Sequence, residues 1–394
     1  MRAINRSPNL SNKPWPASKV LPRPPNNSFS MEQQKMYIKN CWYTVAWNYE
    51  LEDEGLFKTS VLNEPMVIYR TADGGYAALE DRCCHRGAPL SKARREGDDL
   101  RCMYHGLKFD PSGRCVEIPG QPKIPANTCV RSYPVVEKHS WIWVWMGDPA
   151  KADIALIPRA MALDTPGFKS RSGFIEYDTD YQEVNDNLLD FSHLAYVHPT
   201  SFGASEDWAY TRPKIERLDR ALRVSRYVRN QDPAFGDKGT GKLDLWSSYD
   251  YQIPGVMLLH SHALLAGSAD INNDGPPDLS KTPSLFTQYS CQAVTPLADG
   301  RSRYSFSILM PDIFDDEWVD EFWRGARQAF DEDREIIEAQ YKVKLRTPDR
   351  PMIATSFDAG LGQFRWMIDK LIREENAEVA AAARGDVPLV NLQS

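Results

Sequence analysis

No apolar run in the 394 residues approaches the ~20 needed to cross a bilayer, so no transmembrane helix is expected. The N-terminal stretch, rich in Pro, Asn and Ser, lacks the apolar centre of a secretory signal and reads as an extended arm over residues 1–36. No Gly-x-Gly-x-x-Gly follows a strand-like run, and no other nucleotide fingerprint is present. The chain is therefore not expected to draw electrons from a nicotinamide itself. Positive charge is in short supply: 47 Lys and Arg stand against 54 Asp and Glu, a net charge of −7. That balance argues against nucleic acid or a membrane surface as the main partner. The seven cysteines are odd in number and show no disulfide-like clustering, which points to a reducing, cytoplasmic compartment.

Histidine is equally scarce, with seven in the chain, yet four fall into two constellations. The first runs from Cys83 to His105. Cys83 and His85 stand two apart, sixteen residues follow, and Cys102 and His105 stand three apart. Thiolate and imidazole together suit zinc or an iron–sulfur centre. Structural zinc pairs usually place like residues together, as C-x2-4-C and H-x3-5-H, whereas each short loop here offers one Cys and one His. That division suits a 2Fe-2S cluster with the cysteines on one iron and the histidines on the other. Cys84 is a spare thiol between the ligands, and Cys41, Cys115, Cys129 and Cys291 read as small buried hydrophobes.

The second constellation is Asp190, His193 and His198, spaced D-x2-H-x4-H in a segment whose apolar spacing is helical. At ~100° per residue the two histidines of a regular helix would point about 140° apart and could not share one metal. Pro199 disfavours helical geometry at His198 and frees it to swing back. An oxygen-activating iron takes two histidines and one carboxylate, with positions left open. The helix expected from about Asp316 offers Asp331, Glu332, Asp333 and Glu335. Measured from Phe322, Trp318, Ala326, Ala329, Ile336 and Gln340 fall within about 40° of one direction and Asp333 within about 20°, while Asp331 faces solvent. Asp333 is thus a carboxylate on the buried stripe, where a metal would compensate its charge. Asn187, three residues before Asp190, is placed to face that metal. His260 and His262 share one face of a strand and are candidates to hydrogen-bond substrate.

Length and a 42% hydrophobic content suggest two domains. Short β-branched and aromatic runs from Asn40, with turn signals at Asp73-Gly74 and Ser112-Gly113, predict a β-rich domain over 37–150. Its last strand, SWIWVWM, puts Trp141, Trp143 and Trp145 on one face for core or interface packing. Residues 151–394 predict an antiparallel sheet, the long helix and a shorter helical tail around Gln363 to Glu375. Loops near Gly236–Gly241 and Asp270–Pro283 read as candidate mobile lids.

Two segments, CCHRGAPLS and CMYHGLKFD, resemble the cluster motif C-P-H-R…C-x-Y-H-G of the Rieske non-haem iron oxygenases, with Cys84 where the family usually has Pro. NDNLLDFSHLAYVHP and FDEDREIIEAQ are similar to the mononuclear-iron segments of the vanillate and dicamba O-demethylases. Asp180-Tyr181-Gln182 replaces an Asn-Trp-Lys-like stretch of that group. The resemblance implies an α+β chain, with a Rieske β-sandwich followed by a helix-grip catalytic domain. It assigns Cys83, His85, Cys102 and His105 to the 2Fe-2S cluster and His193, His198 and Asp333 to a mononuclear Fe(II). It further implies a homotrimer in which Asp190 relays electrons from a cluster histidine, His105 of the neighbouring subunit, to His193. The partners would be O2, a small aromatic substrate, and a ferredoxin or NAD(P)H-dependent reductase. Oxidative O- or N-dealkylation is the expected reaction. Cis-dihydroxylation uses the same ligands and stays open, and a Rieske electron carrier without oxygenase activity would leave the second constellation without a role.

Overall fold

The computed structural model describes residues 37–52, 55–160, 163, 166–201, 204–233 and 241–384. The strand Trp141–Trp145 is apolar on both faces, and each of its five residues is at most 1% exposed. It pairs antiparallel with Trp42–Trp47 on one side and Val135–Lys138 on the other. Trp141, Trp143 and Trp145 pack with Trp42 and Trp47 against Val256, Cys291, Ala293 and Leu309 of the C-terminal sheet. Ile142 and Val144 belong to the main core on the opposite side. The indole stripe is therefore the joint between the N-terminal β-structure and the C-terminal sheet, held by the large apolar area that aromatic rings bury.

Two small antiparallel sheets complete the N-terminal part. One contains Phe57–Val61, Glu64–Arg70 and Tyr76–Glu80. The other contains Arg94–Glu96, Asp99–Arg101, Lys108–Phe109 and Cys115–Glu117. The turns fall at Asp73-Gly74 and Ser112-Gly113, as the turn residues predict. Of the four cysteines expected to be buried, Cys41, Cys115 and Cys291 are, whereas Cys129 is exposed.

The C-terminal part is a seven-stranded antiparallel sheet. Its order is Phe168–Tyr177, Arg301–Pro311, Phe286–Ala298, Val256–Leu265, Leu243–Gln252, Ala221–Gln231 and Lys214–Arg217. The long helix Asp316–Arg346 starts where Asp315 accepts the Trp318 amide at 2.8 Å. It buries Val319, Ala326, Ala329, Phe330, Asp333 and Ile337. The buried direction lies about 40° from Phe322. Ile336 and Gln340, expected on that stripe, are consequently exposed, and Ile337 takes the inward place. Trp318 and Phe322 mislead as core markers because both are only half-buried and wall a cavity.

The C-terminal helix, Ala359–Arg384, outruns the expected tail because AEVAAAAR continues it on helix propensity without an apolar period. The loop at Asp270–Pro283 is tied to itself. Asn272 Nδ2 donates to the Ser268 carbonyl at 2.7 Å and to Thr282 Oγ1 at 3.0 Å, and the Asp278 amide donates to Asn272 Oδ1 at 2.8 Å. In the Gly236–Gly241 loop, residues up to 240 lie outside the described residues, as does the arm over 1–36.

Candidate metal centres

The two Cys/His loops fold alike. In each, the cysteine amide donates to a carbonyl across the loop, Ala88 for Cys83 and Leu107 for Cys102, both at 2.8 Å. Each cysteine carbonyl accepts a glycine amide, from Gly87 at 2.9 Å and from Gly106 at 3.0 Å. The chain can turn this tightly because both glycines adopt positive φ, +72° and +76°. A Cβ on Gly106 would also stand 2.8 Å from Pro119 Cγ. Cys83 and Cys102 lie inside, each 2% exposed, while His85 and His105 sit at the exposed tip with ring centroids 4.6 Å apart. Burial pushes the Cys83 thiol up to about 11 and Cys102 adds to this, against a hydrogen bond from the His85 amide. A buried thiol beside a second sulfur becomes a thiolate only with a cation next to it, which fits a cluster held by two sulfurs and two imidazoles.

The second centre is built on an interrupted helix. Tyr181–Leu189 begins where Asp180 accepts the Gln182 amide at 2.9 Å and ends at Asp190, whose backbone is extended (φ −124°, ψ 103°). The turn Phe191–His193 restarts the chain because Asp190 accepts the Ser192 amide and hydroxyl, each at 2.8 Å. A single further turn, Leu194–Val197, leads to His198, which is non-helical before Pro199. The sequence placed one break, at His198; a second at Asp190 turns His193 as well. His193 Nδ1 donates to the Asp190 backbone carbonyl, at 2.5 Å, rather than to its carboxylate.

Ligand atoms of His193, His198 and Asp333 all lie within 4.8 Å of one another. The hydrogen bonds fix which nitrogens face inward. His193 Nδ1 points at a carbonyl and His198 Nδ1 at Glu332 Oε2, 2.8 Å away, so both Nδ1 atoms carry the proton. Both Nε2 lone pairs then face Asp333 Oδ1, at 3.4 and 3.2 Å. Lone pairs turned on a carboxylate oxygen repel unless a cation sits among them. Burial works to raise Asp333; were the imidazoles protonated instead, their hydrogen bonds to Asp333 would outweigh it and hold the carboxyl at about 2. Burial lowers His198, yet Asp333 and Glu332 raise it above the ordinary histidine value, the mark of a site that attracts positive charge. The donor set is that of a two-histidine, one-carboxylate iron site.

Residues 41–134 match the family model described as the Rieske [2Fe-2S] domain, and residues 177–374 match the vanillate O-demethylase oxygenase C-terminal domain. The chain belongs to the Rieske non-haem iron oxygenases. It is 42% identical to the toluene-4-sulfonate monooxygenase system iron-sulfur subunit of Comamonas testosteroni, over 88% of this chain and all of that one. It is 34% identical to the vanillate O-demethylase oxygenase subunit of a Pseudomonas strain, over 81% of this chain and 98% of that one. The crystal structure of dicamba monooxygenase bound to dicamba superposes with a TM-score of 0.75 at 27% identity, covering 87% of this chain and all of that one. The protein is thus the oxygenase component of a multicomponent system, with a Rieske cluster and a mononuclear non-haem iron as cofactors and electrons supplied by a partner. No helix among the described residues is long and apolar enough to span a membrane.

Beside the three-ligand cluster this oxygenase has a cavity of about 530 Å³, walled mainly by apolar side chains such as Phe191, Leu259, Phe322 and Phe330. Asn187 lines it, donating to Asp333 Oδ1 at 2.9 Å and lying 3.3 Å from His193 Nε2. Of the two strand histidines, His262 is among the residues lining the cavity and His260 is not. Leu259, Ser261 and Ala263 face the cavity, and alternation turns the bodies of His260 and His262 away from it, with His262 reaching its edge. There His262 Nδ1 meets Ser284 and Thr287 hydroxyls at 2.9 and 3.1 Å, and His260 stacks on Tyr289. His262 touches the cavity wall and His260 does not line it.

Sequence reasoning missed the role of Glu332. Besides His198 it accepts the Ser201 hydroxyl at 2.6 Å and Gln328 Nε2 at 2.9 Å. The i, i+4 spacing of Gln328 and Glu332 was readable; nothing local signalled Ser201. Asp180 and Tyr181 cap and anchor the interrupted helix and are not among the cavity-lining residues.

Proposed function

We propose that the protein is a monooxygenase that removes an O- or N-alkyl group from a small aromatic compound. In this reading His193, His198 and Asp333 hold the mononuclear iron, and Cys83, His85, Cys102 and His105 hold the cluster. For a methyl ether the balance is R–O–CH3 plus O2, two electrons and two protons giving R–OH, formaldehyde and water. The iron, when bound, supplies the O2-reducing chemistry. The chain's own residues do the rest. Asp190 and Glu332 fix the two imidazole tautomers, Asn187 holds the Asp333 carboxylate, and the apolar wall aligns the ring and excludes water. The observation that carries the reading is an apolar cavity opening directly onto a carboxylate flanked by two inward-facing imidazole nitrogens.

Electrons reach the iron, in this proposal, from the cluster of an adjacent subunit in a homotrimer, through His105 of that subunit, Asp190 and His193. His85 and His105 are exposed, so they are available to a second copy. Among the described residues the Asp190 carboxylate accepts only from Ser192, which leaves lone pairs for an incoming imidazole. Residues 37–150 form the cluster domain and 151–394 the catalytic domain, working in the cytoplasm with a ferredoxin or NAD(P)H-dependent reductase. The test is a reconstituted assay with a reductase, using methoxybenzoates and N-alkyl amides, in which formaldehyde or another aldehyde accumulates with O2 consumption. Diol products without aldehyde would refute dealkylation. Asp190→Asn should retain both metals and lose turnover, and unchanged coupled activity would refute the relay.

A further inference from the structure

The break at Asp190 is packed against a buried arginine. Arg226, on the strand Ala221–Gln231, is 6% exposed, and its guanidinium lies over the rings of Phe191 and Trp208, 5.7 and 5.8 Å from their centroids. Tyr249 closes the same spot, with its ring 4.9 Å from that of Phe191 and its hydroxyl donating to the Leu189 carbonyl at 3.1 Å. The guanidinium therefore sits beside residues 189–191, the stretch in which the helix stops and turns. Among the described residues it makes no ion pair; Nη1 reaches the Trp208 carbonyl only at 3.5 Å, and the buried Nε has no hydrogen-bond partner. Burial pulls it below the ordinary arginine value, against Tyr249 and Asp190, and among the described residues Asp190 is the one carboxylate that acts on it. Burying a charge this poorly paired is unfavourable, and an apolar side chain of similar volume would fill the place with less strain on stability. The cation is explained by what it faces.

We infer that Arg226 is a positioning residue for the electron relay: it locks the break that aims Asp190 and supplies the counter-charge for its carboxylate. This rests on the reading of Asp190 as the link between subunits. Ser192 fixes both carboxylate oxygens from within the turn, and Arg226 fixes the turn itself through Phe191, the residue between them. The step served moves one electron from the reduced cluster to the mononuclear iron of the adjacent subunit; no bond forms or breaks at Asp190 or Arg226. Arg226 is not among the residues lining the cavity, whereas Phe191 and Trp208 are. It therefore stands behind the wall on which a substrate ring rests, and it acts on electron delivery rather than on substrate binding.

The test uses the intact protein with both cofactors loaded and the mononuclear iron oxidised to the ferric state. One reducing equivalent of dithionite per subunit is mixed in, which bleaches the cluster, and the return of cluster absorbance reads the electron passing on to the iron. Arg226→Met should slow that return about tenfold, the order of effect of removing one nearby charge from a site of effective dielectric about 20, with metal content and cluster reduction potential unchanged. Arg226→Lys, which keeps the charge, should stay within about threefold of wild type. A second readout needs no electron transfer: the melting temperature in the four combinations of Asp190→Asn and Arg226→Met. Asp190→Asn leaves a buried cation without its carboxylate and should lower the melting temperature by about 2–4 °C in the wild-type background, and by less than half of that beside Arg226→Met. Equally slow Met and Lys variants, a wild-type rate in Arg226→Met, or additive melting shifts would overturn the inference. If Arg226→Met does not fold, Arg226→Gln takes its place under the same criteria. A wild-type rate in Asp190→Asn would sink the relay reading and this inference with it, whereas a slow Asp190→Asn beside an unaffected Arg226→Met sinks only the role of Arg226.

Discussion

Glu332 offers the most direct test of how the catalytic centre is held. Its Oε2 receives His198 Nδ1 at 2.8 Å and the Ser201 hydroxyl at 2.6 Å, and its Oε1 receives Gln328 Nε2 at 2.9 Å. Burial acts to raise its carboxyl, but the hydrogen bonds from Ser201, His198 and Gln328 hold it below the ordinary glutamate range. It is therefore a fixed anion that keeps the proton on Nδ1 and the Nε2 lone pair turned toward Asp333. Glu332→Ala removes that restraint from a fully buried imidazole. Loss of an outer carboxylate of this kind lowers metal affinity about 10- to 100-fold, equivalent to about 1.4–2.7 kcal/mol. Because the Glu332 side chain is 27% exposed, the lower half of that range is expected. Glu332→Gln keeps an acceptor for Nδ1 but turns an amide NH2 toward one of the other two donors, so its loss should be smaller. The assay is an Fe(II) titration of protein stripped of its mononuclear iron, with metal content measured after gel filtration and cluster absorbance as the internal control. Alanine and wild type agreeing within twofold, with the cluster intact, would refute the orienting role.

Three further perturbations test the same geometry. Gly106→Ala places a methyl 2.8 Å from Pro119 at φ +76° and should cost about 1–3 kcal/mol, read as loss of the visible cluster spectrum in purified protein; full cluster occupancy would contradict the loop geometry. Ala326→Phe puts a ring into the cavity from the long helix and should abolish aldehyde release in the reconstituted assay while iron content stays near normal; undiminished turnover would place the substrate elsewhere. His262 is held down to about 4 by burial and then by the charge of His260, so it stays neutral in the folded protein while the unfolded chain takes up a proton near pH 6.5. The unfolded state binds more protons between those values, so this group makes stability fall as pH drops from 6.5 to 4. His262→Gln should flatten that part of the melting-temperature profile, and an unchanged slope would remove His262 as a contributor.

Spacing alone delivered a good deal here. Cys83, His85, Cys102 and His105 stand in a pattern that separates unlike ligand types, and this chemistry is local: two short loops need only their own residues and a glycine to close. The turn signals at Asp73-Gly74 and Ser112-Gly113 and the alternating runs located the strands for the same reason, since a hairpin is determined by its own backbone and side-chain periodicity. Asp333 was readable because a helix projects a one-dimensional period onto a face, and a lone acid on the apolar side stands out.

Tertiary structure decided whatever depends on which surface lies opposite. The helical period could not say whether Phe322 and Trp318 bordered solid core or a cavity, so Ile336 and Gln340 were drawn to the wrong side. Strand alternation put His260 and His262 on one face, but only the seven-stranded sheet and the helix laid over it show that Leu259, Ser261 and Ala263 face the cavity, with His262 at its edge and His260 outside it. The hydrogen bond from His198 to Glu332 joins residues 134 positions apart in the chain. No local pattern encodes such a pair; it exists because the interrupted helix and the long helix are pressed together by the burial of their apolar sides.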